Sequence, residues 1–397
     1  MKLMTLKQGL NRSVSLWVGG FLLLSCSLSM KCIGMGLERD GYHVFPGDSI
    51  QDALQAAARN PTNKIVKVHA GEYRPGAKRQ ALIGFNKMHE GVRLEAVGPV
   101  TLTAANPEIT SPDTPGFPAV VNHVIYFGNG ITSNTVLKGF RITGANHYVT
   151  EKLTKQLEPD TTIPKNLFFY TDGGAIKIFG HSYPTLQNIE VIDNYASPCG
   201  AGISVQQMGF NQNPVLIENC VFLRNRTQVT GAAIDLLGGS AARIVNCLFV
   251  GNVSNTGVDV VSKRSGEKPF TNCGVLTIFP KSHADVRNCT FTGNRNAVDD
   301  LGGESVYLNS IFVNNNLADG LKGTERYELD LQAAAKVSGC FISGIILDPR
   351  HSVSAKENTL NAPHPRFNKD FVPEATEYKG VGYRPVFIKT AAAAQDR

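Results

Sequence analysis

Polar residues recur at one position of a short repeated strand, and their types suit acid–base chemistry. They are Lys177, Ser204, Asp235 and Thr277. Isoleucine, valine and leucine residues alternate with them, so the polar side chains are predicted to point away from an apolar core. Asp172 precedes the first of these strands, and Lys263 and Arg264 lie in a charged segment before the last.

These residues fit the cleavage of an acidic sugar chain by elimination. Such a reaction needs a base that removes a proton and a cation or metal ion that holds the sugar carboxylate. We expect the catalytic residues to be Lys177, Asp235, Lys263 and Arg264. Asp172 and Asp235 are the candidate ligands of a metal ion, for which Ca2+ is a candidate. The alternative is a solvated strand face beside a charged loop, without catalytic function.

The candidate residues lie near two long interruptions of the repeat. Residues 145–171 and 256–273 both separate an asparagine-bounded strand from the next glycine-led strand. They are therefore predicted to overhang the same edge of the protein, and long loops on a regular scaffold often carry function. We expect a groove beneath them, floored by the outward polar residues.

The elements that position this groove are strands with an asparagine at each end. Five copies begin at Asn188, Asn219, Asn246, Asn288 and Asn309 and end at Asn194, Asn225, Asn252, Asn294 and Asn315. Asparagine tolerates the left-handed conformation and favours turns, and stacked asparagine side chains can bond one another. The two asparagine columns are therefore predicted to mark two corners of a stack.

Glycine-led strands begin at Gly173, Gly200, Gly231 and Gly274 and precede the asparagine-bounded copies. We interpret one coil as a glycine-led strand, a turn, an asparagine-bounded strand and a second turn. Successive copies lie 31, 27, 42 and 21 residues apart, as in solenoid repeats. The sequence predicts an all-β fold, a right-handed parallel β-helix. A β-sandwich is the alternative, but it gives no reason for the asparagine pattern to recur.

A helix is predicted before the first coil, over residues 48–59, with Ser49 and Asp52 approximating a capping box. The run Ser49-Ile50-Gln51-Asp52-Ala53, the strand around Val66 and the turn Gly71-Glu72-Tyr73 resemble the start of pectin-lyase-like β-helices. The resemblance covers about residues 43–345 and implies the β-helix fold with a capping helix. That superfamily includes polysaccharide lyases, glycoside hydrolases, esterases and non-catalytic surface proteins, so the resemblance does not choose an activity.

The repeats also resemble those of polymorphic outer-membrane protein passengers, which pair Gly-Gly-Ala-Ile with Phe-x-x-Asn. The matches are Gly173 to Ile176 and Phe222 to Asn225, with later copies of the second motif. This resemblance implies a surface protein.

Fragments of polygalacturonase motifs occur at Asp172, His181 and Asp299-Asp300. The histidine precedes the aspartate pair by more than a hundred residues, so these groups cannot flank one glycosidic bond. The pattern excludes a polygalacturonase, and His181 is interpreted as a surface residue.

Cysteines occupy one repeat position and are predicted to be buried, reduced thiols. They are Cys220, Cys247, Cys289 and, in a later coil, Cys340. The histidines do not cluster with them at zinc-binding spacing.

The first residues predict export. Lys2, Lys7 and Arg12 precede an apolar run, and Leu23 to Cys26 resembles a bacterial lipobox, so residues 1–26 are predicted to be a signal with Cys26 as the lipidation site. Ordinary cleavage or an uncleaved anchor are the alternatives, and all three place the body outside the cytoplasm. The formal net charge of +6 falls to about half without the signal's three basic residues, too little to indicate nucleic-acid binding.

The remaining chain is predicted to form a β-helix with its cap over residues 43–345 and an irregular tail over residues 346–397. Tyr378, Tyr383 and Phe387 are expected to cover the last coil. The leading hypothesis is an extracytoplasmic monomer that binds or cleaves polysaccharide, because the fold offers a long groove. The second hypothesis is a non-catalytic, adhesin-like surface protein.

Overall fold

Columns of short parallel strands build the part of the chain that the computed structural model describes. The described residues are 36–109, 112–114, 116–147, 149, 172–196, 198–256, 274–317 and 326–386. The first elements are β1 (Gly36–Glu38), β2 (Gly41–Val44), α1 (Ile50–Arg59), β3 (Ile65–Tyr73), β4 (Arg79–Phe85), a 3-10 turn (Lys87–His89), β5 (Arg93–Thr103), β6 (Val121–Phe127) and β7 (Val136–Thr143).

The glycine-led strands form one sheet, here called the glycine-led sheet, in which each strand pairs in parallel with the next coil. After β4 and β6 its strands are β8 (Ile176–Phe179), β12 (Ile203–Gln206), β16 (Ile234–Leu236), β19 (Leu276–Ile278), β22 (Val298–Asp300), β25 (Leu329–Leu331) and β28 (Ile346–Leu347). Apart from the antiparallel pair of β1 and β2, the pairing between named strands is parallel, which defines the right-handed parallel β-helix.

The asparagine-bounded strands form a second column. They are β10 (Glu190–Ile192), β14 (Val221–Leu223), β18 (Leu248–Val250), β21 (Thr290–Thr292), β24 (Ile311–Val313), β27 (Phe341–Ser343) and β29 (Thr359–Leu360). A short pair of β11 (Tyr195–Ala196) and β15 (Arg226–Thr227) follows the ends of two of these strands.

A third column lies between the other two, so each coil has three strands and the predicted two-strand coil is wrong. Its strands are β9 (Thr185–Gln187), β13 (Val215–Glu218), β17 (Ala241–Val245), β20 (His283–Arg287), β23 (Val306–Leu308) and β26 (Lys336–Ser338). The long strand β7 shows the relation, because its first part pairs with β9 and its last part with β10.

The asparagines that begin each copy are the corners between the second and third columns. Their φ angles are 55°, 55°, 52°, 51° and 48°, all left-handed. They belong to Asn188, Asn219, Asn246, Asn288 and Asn309. The predicted turn conformation of asparagine is therefore confirmed. Each of these asparagines separates a strand of the third column from a strand of the second column. The segment before the asparagine, predicted to be a turn, therefore contains a strand.

Phenylalanine rings stack through the core at one position of the repeat. The centroid distances are 4.9 Å between Phe222 and Phe249, 4.1 Å between Phe249 and Phe291, and 5.0 Å between Phe291 and Phe312. All four rings are fully buried. The predicted inward direction of this face is confirmed, and identical side chains fill identical positions because neighbouring strands lie about 4.8 Å apart.

The predicted capping helix is present as α1. The Ser49 hydroxyl accepts a bond of 3.2 Å from the Asp52 backbone N–H, and the apolar face of the helix is buried. The Gln51 amide donates to the Gly84 carbonyl and accepts from the Gly84 N–H, at 3.0 and 2.8 Å. Gly84 lies on β4, the first strand of the glycine-led sheet. The helix therefore bonds to a strand edge that would otherwise be open.

Parallel pairing continues beyond the predicted boundary at residue 345. Strand β28 pairs with β25, and β29 pairs with β27, so the β-helix extends to Leu360. Within the described part of the chain, no helix has the length and apolar character needed to cross a membrane.

Candidate functional site

A row of outward side chains follows the glycine-led sheet from coil to coil, and it is called the polar row here. In register, its members are Tyr126, Lys177, Ser204, Asp235, Thr277, Asp299 and Asp330. The row contains all four predicted positions and brings them onto neighbouring strands. It also adds two aspartates, Asp299 and Asp330, that the sequence analysis did not assign to it.

The predicted exposure of the groove floor is wrong. Lys177, Ser204, Asp235 and Thr277 have no exposed surface. The glycine turns explain part of this burial: a Cβ on Gly231 would lie 2.5 Å from the Cβ of Asp235, and one on Gly200 would lie 2.7 Å from the Cβ of Ser204. Both glycines have a left-handed φ. Each turn therefore lies directly on the outward residue of the strand that follows it.

Lys177 is held in a buried hydrogen-bond network. Its Nζ donates to Asp172 Oδ2 at 2.7 Å, to Gln206 Oε1 at 3.0 Å and to Ser204 Oγ at 3.2 Å. The Ser204 hydroxyl also donates to Asp172 Oδ2, at 2.6 Å. The ion pair of Lys177 and Asp172 is fully buried, so each charge compensates the other. The catalytic role of Lys177 stays a prediction.

Asp235 is a buried carboxyl with an unusual protonation preference. Burial, followed by the nearby charge of Asp172, raises the pKa of Asp235 to about 8. Its Oδ2 accepts a bond of 3.2 Å from Thr230, while its Oδ1 has no hydrogen-bond partner. At neutral pH the carboxyl is therefore mainly protonated.

Among the described residues, Asp172 and Asp235 are not joined by a third histidine, cysteine or carboxylate to form a metal-ligand group. Ser204 lies between Lys177 and Asp235 in register, and Asp172 Oδ2 already accepts from Lys177 and Ser204. The group of three candidate metal ligands found among the described residues lies elsewhere, at Glu38, Asp40 and His43. Ca2+ at Asp172 and Asp235 stays a prediction. The other candidates, Lys263, Arg264 and Cys26, lie outside the described residues.

Asp299 and Asp330 form the end of the polar row that keeps some exposed surface, 5% and 2% respectively. They are direct partners on β22 and β25. Burial and then the charges of Asp330, Asp300 and Asp235 raise the pKa of Asp299 to about 8. Burial also raises the pKa of Asp330. Two desolvated carboxyls side by side are the arrangement expected of a functional pair.

The alternation of apolar and polar residues in the sequence indicates one of these two aspartates, Asp330. Leu329-Asp330-Leu331 repeats the alternation of Ile234-Asp235-Leu236. In sequence, Asp299 and Asp300 match only a fragment of another family's motif. The strand sends them to opposite faces: Asp300 accepts a bond of 2.8 Å from the Tyr307 hydroxyl, which is fully buried.

The cysteine column is buried and reduced, as predicted. Cys220, Cys247, Cys289 and Cys340 are free and buried. The backbone N–H of Cys220 donates to the Cys247 sulfur at 3.4 Å, and that of Cys247 donates to the Cys289 sulfur at 3.4 Å. Burial raises the pKa of the Cys247 thiol, so the column is a structural feature.

His181 is an exposed residue, in agreement with its interpretation as a surface histidine. Its ring stacks on Phe210 with a centroid distance of 4.4 Å. His181 lies in the turn after β8, four coils from Asp299. The histidine and the aspartate pair of the polygalacturonase motifs are therefore not brought together.

Comparison with known proteins agrees with this architecture. The family model described as right handed beta helix region matches residues 122–275. This match and the strand columns agree on the right-handed parallel β-helix fold. No curated protein matches the sequence.

Two solved structures match, both catalytic domains of GH87 alpha-1,3-glucanases in complex with tetrasaccharides. The first is 16% identical, covers 77% of this chain and 70% of its own, and has a TM-score of 0.24. The second is 11% identical, covers 83% and 69%, and has a TM-score of 0.20. These similarities concern the fold alone.

Proposed function

We propose that this β-helix protein binds and hydrolyses a polysaccharide at the end of the polar row that keeps a small exposed surface. The observation that carries the proposal is the pair of neighbouring carboxyls at Asp299 and Asp330. Glycoside hydrolysis uses two carboxyl groups, one protonated as the acid and one ionised as the base or nucleophile. No other neighbouring pair of carboxyls occurs in the described part of the row.

The two carboxyls are suited to different roles. Asp299, with a pKa of about 8, is protonated at neutral pH and is assigned as the general acid. Asp330 lies on the adjacent strand, about 4.8 Å away at the backbone, and is assigned as the nucleophile or base. Neighbouring strands at this backbone spacing allow the two carboxyl groups to come within the separation of about 5–5.5 Å that retaining enzymes use.

Elimination is the less favoured reaction. The base predicted for it, Lys177, is bonded to a buried carboxylate, and Asp235 is fully buried. The contribution of Lys263 and Arg264 to elimination stays a prediction. Hydrolysis and elimination yield different products, so they can be distinguished directly.

The test is incubation of the purified protein with neutral glucans and with pectate, alginate and glycosaminoglycans. We expect new reducing ends without the ultraviolet absorbance of unsaturated sugars. Asp299→Asn and Asp330→Asn are each expected to lower kcat by about 10²–10⁴-fold. Asp285→Asn is the matched control, because this aspartate lies on β20 in ion pairs with Arg243 and Arg287.

Products that absorb in the ultraviolet would show that the reaction is elimination and not hydrolysis. Lys177, Lys263 and Arg264 would then be the candidate catalytic residues. Unchanged kcat in both asparagine variants would remove Asp299 and Asp330 from the mechanism. If no polymer is bound and none yields either kind of product, the result would favour the second hypothesis, a non-catalytic surface protein.

The proposal includes the location predicted from the sequence. We propose that a bacterium exports the chain and that Cys26 carries the lipid that anchors it. The support is the arrangement of Lys2, Lys7 and Arg12 before an apolar run that ends in Leu23 to Cys26. A polysaccharide substrate outside the cytoplasm agrees with this location.

A further inference from the structure

Two carboxylates and a histidine converge at the start of the β-helix, far along the chain from the polar row. Glu38 ends β1 and His43 lies on β2, and these two strands form an antiparallel hairpin. Asp40 lies in the turn between them. One nitrogen or oxygen atom from each of Glu38, Asp40 and His43 lies within 4.8 Å of the others.

His43 directs one ring nitrogen at the carboxylates. Its Nε2 lies 3.0 Å from Asp40 Oδ1 and 3.9 Å from Glu38 Oε2. The other ring nitrogen, Nδ1, is 2.7 Å from His69 Nε2. His69 in turn stacks on Phe45 at 4.2 Å. Only 11% of the His43 side chain is exposed, so its ring has a fixed orientation.

This arrangement has the two shells of a metal site. A histidine that binds a metal through one nitrogen usually donates a hydrogen bond through the other, which fixes its tautomer. A bound metal ion would require the tautomer in which Nδ1–H donates to His69 and the lone pair of Nε2 faces Asp40 and Glu38. Without metal, Nε2 lies 3.0 Å from Asp40 Oδ1, where it can donate a hydrogen bond instead. His69 therefore acts as a positioning residue.

The carboxylates supply charge where a cation would bind. Asp40 forms an ion pair with the Lys67 ammonium group and lies against the His43 ring. Lys67 bonds the second oxygen, Oδ2, and leaves Oδ1 facing His43. Glu38 is exposed and can move toward the other two groups.

We propose that Glu38, Asp40 and His43 bind one Zn2+ ion. One imidazole nitrogen and two carboxylate oxygens at about 2.0–2.2 Å, with water as the fourth ligand, make a tetrahedral zinc site. Ca2+ prefers six to eight oxygen ligands and does not suit the imidazole. The ion links both strands and the turn of the hairpin and is independent of the polysaccharide site.

Lys67 gives the proposal a distinctive consequence. Its ammonium group lies on the same carboxylate as the metal ion and repels it. Replacing Lys67 with methionine removes that charge and retains a long apolar side chain. Lys67→Met is therefore expected to bind Zn2+ several-fold more tightly than the wild type, whereas a site elsewhere would not respond.

The experiment is calorimetric titration of the purified protein with Zn2+ alone, with the melting temperature measured with and without zinc. We expect one equivalent to bind and to raise the melting temperature. His43→Ala and Glu38→Gln should each weaken binding at least tenfold, and His69→Phe about tenfold through loss of orientation. His364→Ala, which removes an exposed histidine in the tail, is the control and should bind normally.

Glu38→Gln keeps the test valid if the histidine variant does not fold, because Glu38 is exposed. Absence of zinc binding in both the wild type and Lys67→Met would overturn the proposal. Equal binding by the wild type, Glu38→Gln and His43→Ala would also overturn it, since zinc would then bind elsewhere. Tighter binding of Ca2+ than of Zn2+ would contradict the assigned metal.

Discussion

At the scale of single residues, the polar row makes the stability of the fold depend on pH. Asp235 has a pKa of about 8 in the folded protein, above the value of about 3.9 for an unfolded chain. Between these values the folded state binds more protons than the unfolded state. The free energy of unfolding therefore falls as pH rises through this window, because folding then opposes ionisation of a buried group.

Asp235→Asn should remove this dependence. The amide stays neutral and its oxygen can still accept from Thr230, so the variant should gain stability relative to the wild type as pH rises from 5 to 9. We expect a relative gain on the order of a few kcal/mol by pH 9. Denaturant unfolding at pH 5, 7 and 9 measures it, with Asp285→Asn as the control at a partly exposed, ion-paired aspartate. Parallel pH profiles for Asp235→Asn and the wild type would contradict the raised pKa.

Strand alternation placed Lys177 and Asp235 on the outward side of their strands correctly. It did not reveal their burial, because that depends on where the preceding turn lies. Asp172 contacts Lys177, and Thr230 contacts Asp235, each five residues further along the chain. A glycine with left-handed φ lies in each of the two turns. Alternation describes only the direction of a side chain within its strand and contains no information about such contacts.

At the scale of elements, the second asparagine column is a continuous ladder. Each Nδ2 donates to the Oδ1 of the next asparagine, at 3.1, 3.0, 3.0 and 2.7 Å from Asn194 to Asn315. Glu328 ends it by accepting from the backbone N–H of Asn315 at 3.1 Å. Burial raises the pKa of Glu328 to about 7. The predicted stacking of these asparagines is confirmed, and the ladder connects consecutive coils at one corner.

Removing one member should cost more than removing one hydrogen bond. In Asn252→Ala, the backbone N–H and the side-chain amide of Asn225 both lose their acceptor in a buried environment. We expect the free energy of unfolding to fall by roughly 2–4 kcal/mol, since each unsatisfied buried group costs about 1–3 kcal/mol. Denaturant unfolding measures the loss.

Asn211→Ala is the matched control for the ladder variant. This asparagine donates one bond of 2.7 Å to the Lys281 carbonyl near the surface. Its removal should cost less than about 1 kcal/mol. Equal losses in the two variants would show that the ladder adds nothing beyond ordinary hydrogen bonds.

The sequence revealed two of the three strand columns, and the missing one shows why. Strands β8 and β10 have glycine or asparagine boundaries that repeat at recognisable positions. Strand β9, Thr185–Gln187, has three residues and one buried apolar side chain, Leu186. So short an alternation does not differ from a turn in sequence, and pairing with β7 and β13 is what makes it a strand.

At the scale of the whole molecule, the tail lies along the side of the β-helix and not over its last coil. The backbone N–H of Gly382 donates to the Asn309 carbonyl at 2.9 Å, and the backbone N–H of Tyr383 donates to the Thr290 hydroxyl at 3.0 Å. The backbone N–H of Arg384 donates to Asn246 Oδ1 at 2.7 Å. The chain thus returns across earlier coils.

The predicted covering role of Tyr378 and Tyr383 is therefore corrected. Tyr378 packs with Ile311 and Val313 on the outer side of the asparagine-bounded column. Phe387 lies outside the described residues. The tail has no repeat, so nothing in its sequence indicated which surface of the helix it would cover.

Anchoring by a lipid is the property of the whole molecule that the proposed location makes testable. A diacyl or triacyl cysteine carries at least two chains, which is what stable membrane attachment requires, whereas one chain binds marginally. Expressed in a bacterium that processes lipoproteins, the wild type should partition into detergent and carry acyl mass on Cys26. Cys26→Ala should partition into the aqueous phase, and Cys32→Ala is the control that keeps the lipidation site. A wild-type product that is fully soluble and begins after Cys32 would show that ordinary cleavage, and not lipidation, releases the β-helix.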